Sequence, residues 1–450
     1  MRMSLAGSDS RRNFASQQAP LTLGSLPTSE KVITALVAVL PATCQAWRSK
    51  RLADPVLLIS WLLVLWVLRL GRRVQIQSRC LCSPAEAAVE GSCFKAIDGV
   101  DVHYVESSSP ASPASATAPL LLHLNHGFGA NALTWDTVIE PLTAALAARR
   151  REGPVRIVAH DRLGFGLSGR PAQLYKYQTD FQAAVALRLL DGAVPATSAS
   201  PPPPTVLVGH SIGSILSATM AVQQAGSGRV RGLVLIAPAI LARARPRPPA
   251  PASALPAAAM VAASLAARLA RAAVRGVLLL LTPLLRVLLQ LLIAQPRFWQ
   301  RGVASAYGDP QKLEPSMLLR YRWPVQVRGS SEGVLRFVTA QLLETGRGAR
   351  NDPAARKQRR GARAAEPAPA PAPAEPPLRE ALAALQLPVL IIHGAKDRLV
   401  PLFNSRRLVA SMPSASLLEL PECGHVPHEE SPEEVCRAIC EFVEAQGLLA

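Results

Sequence analysis

The 450-residue chain is poor in acidic and aromatic residues. It holds 31 aspartates and glutamates against 49 lysines and arginines, for a formal net charge of +18, and aromatic residues make up only 4% of it. No basic run is interleaved with aromatic side chains, which is the pattern that favours nucleic-acid binding. Arginine, alanine and proline are instead enriched together along the whole chain, as a compositional bias produces. The sequence therefore predicts no nucleic-acid partner despite its charge.

Cysteine is also scarce, and its spacing does not match a metal site. The seven cysteines fall into two groups without zinc-ligand spacing, Cys44, Cys80, Cys82 and Cys93, then Cys423, Cys436 and Cys440. A chain of this length can build a large core without disulfides, so free thiols in a reducing compartment are expected. Gly164, Gly166 and Gly169 do not lead into a helix with a ribose-binding acid. We predict no metal and no organic cofactor.

A membrane-spanning helix needs about 20 apolar residues, and the apolar runs near the N-terminus are shorter than that. Residues 1 to 31 are rich in Ser, Ala, Leu and Arg with only two acids, which resembles an organelle transit peptide. The stronger apolar run, 55–68, is flanked by arginines; it could lie at a membrane interface, span with snorkelling arginines, or be removed with the presequence. Residues 1–90 are therefore assigned to a targeting segment, with 55–70 as a candidate membrane anchor.

From Ser92 onward, short apolar segments alternate with amphipathic ones. Asp98-Gly99 predicts a hairpin between strands at 93–97 and 100–105. Buried parallel strands are predicted at 120–124, 155–159, 205–208, 230–236, 389–393 and 416–420. Helices at 135–149 and 178–190 fit crossover connections. The alternation predicts an α/β fold with a doubly wound, mostly parallel sheet.

The predicted sheet is interrupted after its sixth strand. Residues 241–347 read as a helical cap, whose very apolar run 277–293 is either buried in the cap or lies on a membrane. Residues 348–379 are predicted to be a disordered Pro/Ala linker. The core is thus split into a first part, 91–240, and a second part, 380–450. A Ser/Ala/Pro stretch at 107–118 is expected to be a flexible insertion.

A G-x-S-x-G motif follows one of the predicted strands. Gly209-His210-Ser211-Ile212-Gly213 comes after Thr-Val-Leu-Val and before a helix of small residues. Such a strand-to-helix turn is sharp and strained, and the two flanking glycines remove side chains that would clash there. The pentapeptide alone arises by chance, but this context makes Ser211 a candidate nucleophile. His210 is expected to pack beneath the turn.

A serine hydroxyl needs a base to take its proton and a carboxylate to orient that base. Asp397 lies in a loop leaving one late strand, and His425 lies in a loop leaving the next. A lone Asp or His in a loop is usually a turn or solvated residue. Here the chain order Ser, Asp, His matches one known arrangement of the triad, which makes Asp397 and His425 its candidate acid and base.

Acyl transfer also requires donors for the developing oxyanion. His126-Gly127-Phe128-Gly129 follows the strand predicted at 120–124. We assign the backbone N–H groups of Phe128 and Ile212 as the two donors. The alternative is that Gly127 and its neighbours only form a tight turn.

Five motifs together resemble the α/β-hydrolase superfamily. They are NHGFGAN at 125–131, HDRLGFGLSGRP at 160–171, GHSIG at 209–213, GAKDRLVP at 394–401 and CGHVPHEESPEEV at 423–435. The chain looks like plant or algal, plastid-type members of the group containing epoxide hydrolases, carbon–carbon hydrolases and small esterases. Epoxide hydrolases carry Asp at the position of Ser211, so the resemblance implies ester, thioester, amide or carbon–carbon cleavage. Ser214 departs from the family pattern, where a further glycine is common.

A hydrophobic cap beside the nucleophile implies an apolar, lipid-like ester substrate, because such pockets bind mainly by burying area. Two alternatives stay open. An alcohol could intercept the acyl-enzyme, which would make the protein an acyltransferase. The fold could also serve a non-catalytic ligand-binding protein.

Overall fold

The computed structural model of the protein describes residues 81–110, 118–191, 202–240, 276, 281, 284–343 and 378–449. The candidate anchor at 55–70, with the rest of residues 1–80, lies outside the described residues. So do most of the insertion predicted at 107–118 and most of the linker predicted at 348–379. Within the described ranges, no helix is both long and apolar enough to cross a membrane.

Eight strands form one sheet in the order β1-β2-β4-β3-β5-β6-β7-β8. They are β1 Cys93–Ile97, β2 Val100–Ser108, β3 Leu120–Asn125, β4 Val155–His160, β5 Thr205–His210, β6 Val230–Ile236, β7 Val389–Gly394 and β8 Ala415–Leu420. The pairs β1–β2 and β2–β4 are antiparallel, and all the others are parallel. The predicted mostly parallel sheet is confirmed. Asp98 and Gly99 both have positive φ, 52° and 72°, as the predicted hairpin turn requires.

Helices cover the sheet and also separate its sixth and seventh strands. They are α1 Asp136–Arg149, α2 Thr179–Asp191, α3 Ile212–Gln223, α4 Pro296–Ala306, α5 Pro315–Arg322, α6 Ser330–Leu343, α7 Leu378–Ala384, α8 Phe403–Val409, α9 Pro427–Glu430 and α10 Pro432–Ala445. Residues 284–293 are helical as well. This segment and α4 to α6 lie between β6 and β7, and we call them the cap.

The core lies on both faces of the sheet because successive strand residues point to opposite sides. Leu120, Leu122 and Leu124 of β3 belong to a cluster with residues of α1 and α10. Leu121, between them, belongs to the other cluster with residues of α2 and α3. Burial on both faces explains why these strands read as continuous apolar runs. The loops that follow β3, β5, β7 and β8 meet at the carboxyl edge of the sheet.

The folded body begins earlier than the boundary predicted at residue 90. Cys82 forms a parallel bridge with Val327, and its N–H donates to Gln326 O at 2.9 Å. Ala87 is buried, and its carbonyl oxygen accepts a hydrogen bond of 2.6 Å from Trp323 Nε1. Residues 81–90 therefore pack against the cap. This contact joins positions more than 200 residues apart, so no local sequence pattern announces it.

Candidate active site

The turn that carries Ser211 lies between β5 and α3, and we call it the elbow. Ser211 has φ 53° and ψ −120°, in a region that residues other than glycine rarely adopt. Its N–H donates to Ile236 O of β6 at 2.9 Å. A Cβ on Gly209 would lie 2.5 Å from Gly213 O, and one on Gly213 would overlap the Asn125 carbonyl. Both motif glycines are required by the close approach of the backbone.

Ser214, the departure from the family pattern, stabilises the same turn. Its hydroxyl donates to Gly209 O at 2.7 Å. This bond ties the first turn of α3 back to the end of β5. The side chain is fully buried and leaves the Ser211 hydroxyl free to face the adjoining loops.

Three loops bring Ser211, His425 and Asp397 together. His425 Nε2 lies 2.9 Å from Ser211 Oγ, and His425 Nδ1 lies 2.7 Å from Asp397 Oδ2. In the tautomer that satisfies both contacts, Nδ1–H donates to the carboxylate and Nε2 accepts from the serine hydroxyl. This geometry leaves Nε2 free to take up the serine proton.

Asp397 accepts hydrogen bonds from two backbone N–H groups and two imidazoles, which stabilise its ionised form. Its Oδ1 accepts the N–H groups of Leu399 at 2.8 Å and Val400 at 2.9 Å. Burial raises the pKa of Asp397, but hydrogen bonds from His393 and His425 outweigh it and bring that pKa below its ordinary value. The group is ionised at neutral pH, which suits a residue that orients an imidazole.

His393 is a site residue that the sequence analysis missed. It lies in β7, with Nε2 3.2 Å from Asp397 Oδ2 and 2.9 Å from Val400 O. Its Nδ1 lies 2.6 Å from Ser405 Oγ, whose hydroxyl can donate to it. The signal available in the sequence was a single imidazole at the end of an otherwise apolar strand.

The two assigned oxyanion donors border the same cavity as Ser211. Phe128 and Ile212 both line it. Among the described residues, neither backbone N–H has a protein acceptor, so both can serve a substrate oxygen. A Cβ on Gly127 would lie 2.8 Å from His210 Nδ1, so only glycine permits this loop to approach the elbow. Gly127 is thus needed for more than a turn.

Histidines support the loops from beneath. His126 Nδ1–H donates to Gly127 O at 2.8 Å, and its Nε2 accepts the Arg162 N–H at 3.1 Å. His210 Nε2–H donates to the carbonyl of His425 at 2.8 Å, so it packs below the elbow as predicted. Burial lowers the pKa of His126 to about 4 and that of His210 well below its usual range. Both imidazoles are neutral.

The cap is bonded directly to the loop that carries His425. The His425 N–H donates to Ala306 O at the end of α4, at 2.6 Å. Glu430 accepts from both sides: its Oε1 from Gly424 N at 2.7 Å, and its Oε2 from Gly308 N at 2.8 Å. The position of the imidazole therefore depends on the docked cap.

A buried carboxyl strengthens this junction. Tyr307 OH donates to Glu429 Oε2 at 2.6 Å, and Tyr321 OH donates to Oε1 at 2.5 Å. Burial raises the pKa of Glu429 to about 7, although both hydroxyls oppose the rise. Glu429 is accordingly poised to change charge near neutral pH, and the tyrosines link that charge to α4 and α5.

A cavity of about 550 Å³ opens above Ser211 and His425. Most of its walls are apolar, and they include Phe165, Ile212, Leu289, Ile293, Trp299, Val303, Val325 and Val334. Phe128 and Leu399 line it as well and are 52% and 53% exposed, so the cavity opens to solvent beside them. In the described part of the chain, no group of three or more His, Cys, Asp or Glu side chains is placed to hold a metal.

Comparison with known proteins identifies the family. The sequence model of the alpha/beta hydrolase family matches residues 120–438. The chain therefore belongs to the alpha/beta hydrolase family, and its eight-stranded sheet with surrounding helices is the fold of that family.

Individual relatives match over shorter stretches. An uncharacterized hydrolase of Bacillus subtilis, YugF, is 38% identical over 64 residues, 14% of this chain and 23% of that protein. A pimeloyl-[acyl-carrier protein] methyl ester esterase of Aromatoleum aromaticum is 40% identical over 65 residues, 14% of this chain and 26% of that protein. The matches thus span about a quarter of these relatives.

Among solved structures, the Cif epoxide hydrolase of Acinetobacter nosocomialis is similar at 18% identity and a TM-score of 0.49. The match covers 84% of this chain and 95% of that one.

Proposed function

We propose that the protein is a serine hydrolase that cleaves a carboxylic ester of a hydrophobic, lipid-like substrate. The observation that carries this proposal is the hydrogen-bonded series Asp397, His425, Ser211 at the floor of an apolar cavity. The non-catalytic alternative needs the same fold but not this complete arrangement, whereas an acyltransferase would use the same triad. Thioesters and amides would use the same groups. A plastid location and membrane association through 55–70 stay predictions about residues outside the described ranges.

The arrangement provides each step of an acyl-enzyme mechanism. His425 Nε2 takes the hydroxyl proton as Ser211 Oγ attacks the carbonyl carbon, and the N–H groups of Phe128 and Ile212 bind the resulting oxyanion. His425 then gives the proton to the leaving alcohol, which departs and leaves an ester on Ser211. A water molecule, activated by the same imidazole, releases the acid. Asp397 stays ionised throughout and stabilises the imidazolium.

The cavity supports an apolar substrate. Its aliphatic and aromatic walls favour burial of hydrocarbon, worth about 25 cal/mol for each Å² removed from water. Its volume falls in the range of small-molecule sites, roughly 300–1,000 Å³. Relatives named as methyl ester esterases are consistent with an ester bond, although only short segments match.

The first test is turnover of p-nitrophenyl esters of increasing chain length by the full chain, with Ser211→Ala alongside. We expect activity on medium or long chains and a loss of at least about a thousandfold in the variant, as removal of a triad serine produces. Ser227→Ala, an exposed serine in the turn after α3, is the matched control and should retain full activity.

Two results would redirect the assignment. If wild type and Ser211→Ala are equally inert and neither reacts with a fluorophosphonate, the protein is a non-catalytic binder. If an added acceptor alcohol yields mainly a new ester in place of the free acid, the activity is acyl transfer.

A further inference from the structure

One face of the cap helix at 284–293 is covered with exposed leucines. Leu284, Leu288 and Leu292 are 54%, 45% and 46% exposed, and Leu281, three residues earlier, is 40% exposed. A spacing of three or four residues places side chains on one side of a helix. Single exposed leucines are ordinary on a protein surface, but a row of four is a patch. We call these four residues the leucine face.

The same helix also forms part of the cavity wall. Leu289 and Ile293 line the cavity above Ser211. Successive helical residues are about 100° apart, so the leucine face lies directly beside the wall-forming face. The apolar surface of this helix therefore continues from the leucine face to the wall of the cavity above Ser211.

The segment around this helix carries positive charge without compensation from acidic residues of its own. Residues 239–308 contain nine arginines and neither aspartate nor glutamate. Of the described arginines, Arg297 and Arg301 on α4 are exposed. Arg286 is 47% exposed at its side chain and pairs with Glu332 of α6 at 2.6 Å. A leucine face followed in the sequence by two exposed arginines, Arg297 and Arg301, has the composition of a surface-seeking segment.

We propose that the leucine face, together with Arg297 and Arg301, docks the protein on a membrane surface that contains anionic phospholipids. The leucines enter the boundary between headgroups and acyl chains, and the arginines contact lipid phosphates. The helix at 284–293 is about 15 Å long, half the thickness of a hydrocarbon core, so it lies in the interface. Docking in this way would present membrane lipid to the cavity wall formed by Leu289 and Ile293.

A second copy of the chain is the main competing occupant. A symmetric dimer through this face would bring Arg297 and Arg301 of both copies close together, and like charges repel. A row made of one apolar residue type also lacks the polar groups that orient a specific protein partner. The charge and composition of the face favour lipid.

The test is sedimentation of the full chain with phosphatidylcholine vesicles, with and without phosphatidylglycerol. The double variant Leu288→Gln/Leu292→Gln should lower the partition coefficient at least about tenfold, because two half-exposed leucines no longer bury apolar area. Val338→Gln/Leu342→Gln, two exposed apolar residues on α6, is the matched control and should stay within about twofold of wild type. Arg297→Gln/Arg301→Gln should weaken binding to the anionic vesicles only.

Hydrogen exchange on the bound protein separates this face from any contribution of 55–70, which every variant retains. We expect residues 284–301 to become protected on vesicles. Three results would each overturn the proposal: a vesicle-bound protein without protection there, equal losses in Leu288→Gln/Leu292→Gln and Val338→Gln/Leu342→Gln, or a dimer that Leu288→Gln/Leu292→Gln dissociates. None of these measurements needs turnover, so a failure here leaves the hydrolase assignment standing. Unchanged circular dichroism and thermal unfolding verify that the variants are folded.

Discussion

At the scale of single residues, the eight histidines show that partners, and not residue type, set a role. All eight are buried, yet among them only His425 is hydrogen-bonded to Ser211. His103 Nδ1 lies 2.6 Å from the Asp161 carboxylate, and His210 donates a hydrogen bond to the carbonyl of His425. His393 contacts the triad acid without reaching the substrate cavity, so it is a positioning residue.

Replacing His393 should change how Asp397 titrates. In His393→Leu the carboxylate loses a donor, so its pKa rises and it holds the imidazole of His425 less firmly. The rate should fall about tenfold to a hundredfold, since a hydrogen bond to a charged group contributes about 1.5–3 kcal/mol. His393→Gln retains a donor near Nε2 and should restore part of the activity. Equal rates in the glutamine and leucine variants would leave His393 with only a packing role.

At the scale of elements, the strand ends and the cap junction determine the site. Several strands continue one or two residues beyond their apolar run and end on a polar residue, as β3 does at Asn125 and β5 at His210. The elbow follows directly, in a conformation that Gly209 and Gly213 permit. The cap then closes over it and bonds to His425 through Ala306 O.

The elbow should not tolerate a side chain at Gly213. The added methyl of Gly213→Ala would overlap the Asn125 carbonyl, which is backbone and cannot move aside. We expect a loss of about 3 kcal/mol in the free energy of unfolding, measured in urea, or failure to fold. Gly302→Ala, inside α4 with open space around it, should stabilise the protein by about 0.5–1 kcal/mol. Equal stability of the two variants would contradict this account of the elbow.

The cap junction should depend on the two tyrosines that donate to Glu429. Tyr307→Phe/Tyr321→Phe leaves a buried carboxyl without its donors, at a cost of about 1–3 kcal/mol for each bond. The pKa of Glu429 is about 7, above the unfolded value, so its burial costs more as pH rises and the group ionises. The loss of stability should therefore be larger at pH 8 than at pH 5. Tyr175→Phe is the control. The Tyr175 ring packs against Phe181, and this substitution should change the free energy of unfolding little at either pH.

At the scale of the whole molecule, buried titratable groups set the response to acid. Burial lowers the pKa of His123 and His428 to about 3 and of His126 to about 4, and that of His160 and His210 well below the usual range. These folded pKa values lie below the unfolded value of about 6.5. The unfolded chain therefore binds more protons, and stability present above pH 6.5 is lost as pH falls toward the folded values.

Three carboxyls act in the opposite direction. Burial raises the pKa of Glu429 to about 7, that of Asp136 to about 6 and that of Glu430 above its ordinary value. Their contribution to the free energy of unfolding is present at acidic pH and is lost as pH rises through those pKa values. Five histidines outweigh three carboxyls, so the net effect of acid is destabilising.

Urea unfolding at pH 5, 6, 7 and 8 measures this balance. The free energy of unfolding should fall from pH 7 to pH 5 by at least about 1.4 kcal/mol per pH unit, the slope for one net proton taken up on unfolding. Proton uptake measured by titration during unfolding at pH 6 should be positive. Equal stability at pH 5 and pH 7 would mean that the buried histidines titrate normally.

The sequence by itself determined the order and type of most elements and the choice of candidate triad. Period-two and apolar runs, Asp98-Gly99 and the G-x-S-x-G turn are local signals, because neighbouring residues decide burial, turn geometry and elbow strain. They placed Ser211, Asp397 and His425 in three loops, and the structure brings those side chains within hydrogen-bond distance.

Only the tertiary structure decided how distant segments support that site. The bonds from Tyr307 and Tyr321 to Glu429 and the packing of 81–90 on the cap do not follow from any local pattern. Hydrogen-bond partners in a buried site depend on which chain segments the packed core brings together. That information lies in contacts between positions often more than 100 residues apart, where sequence spacing predicts nothing.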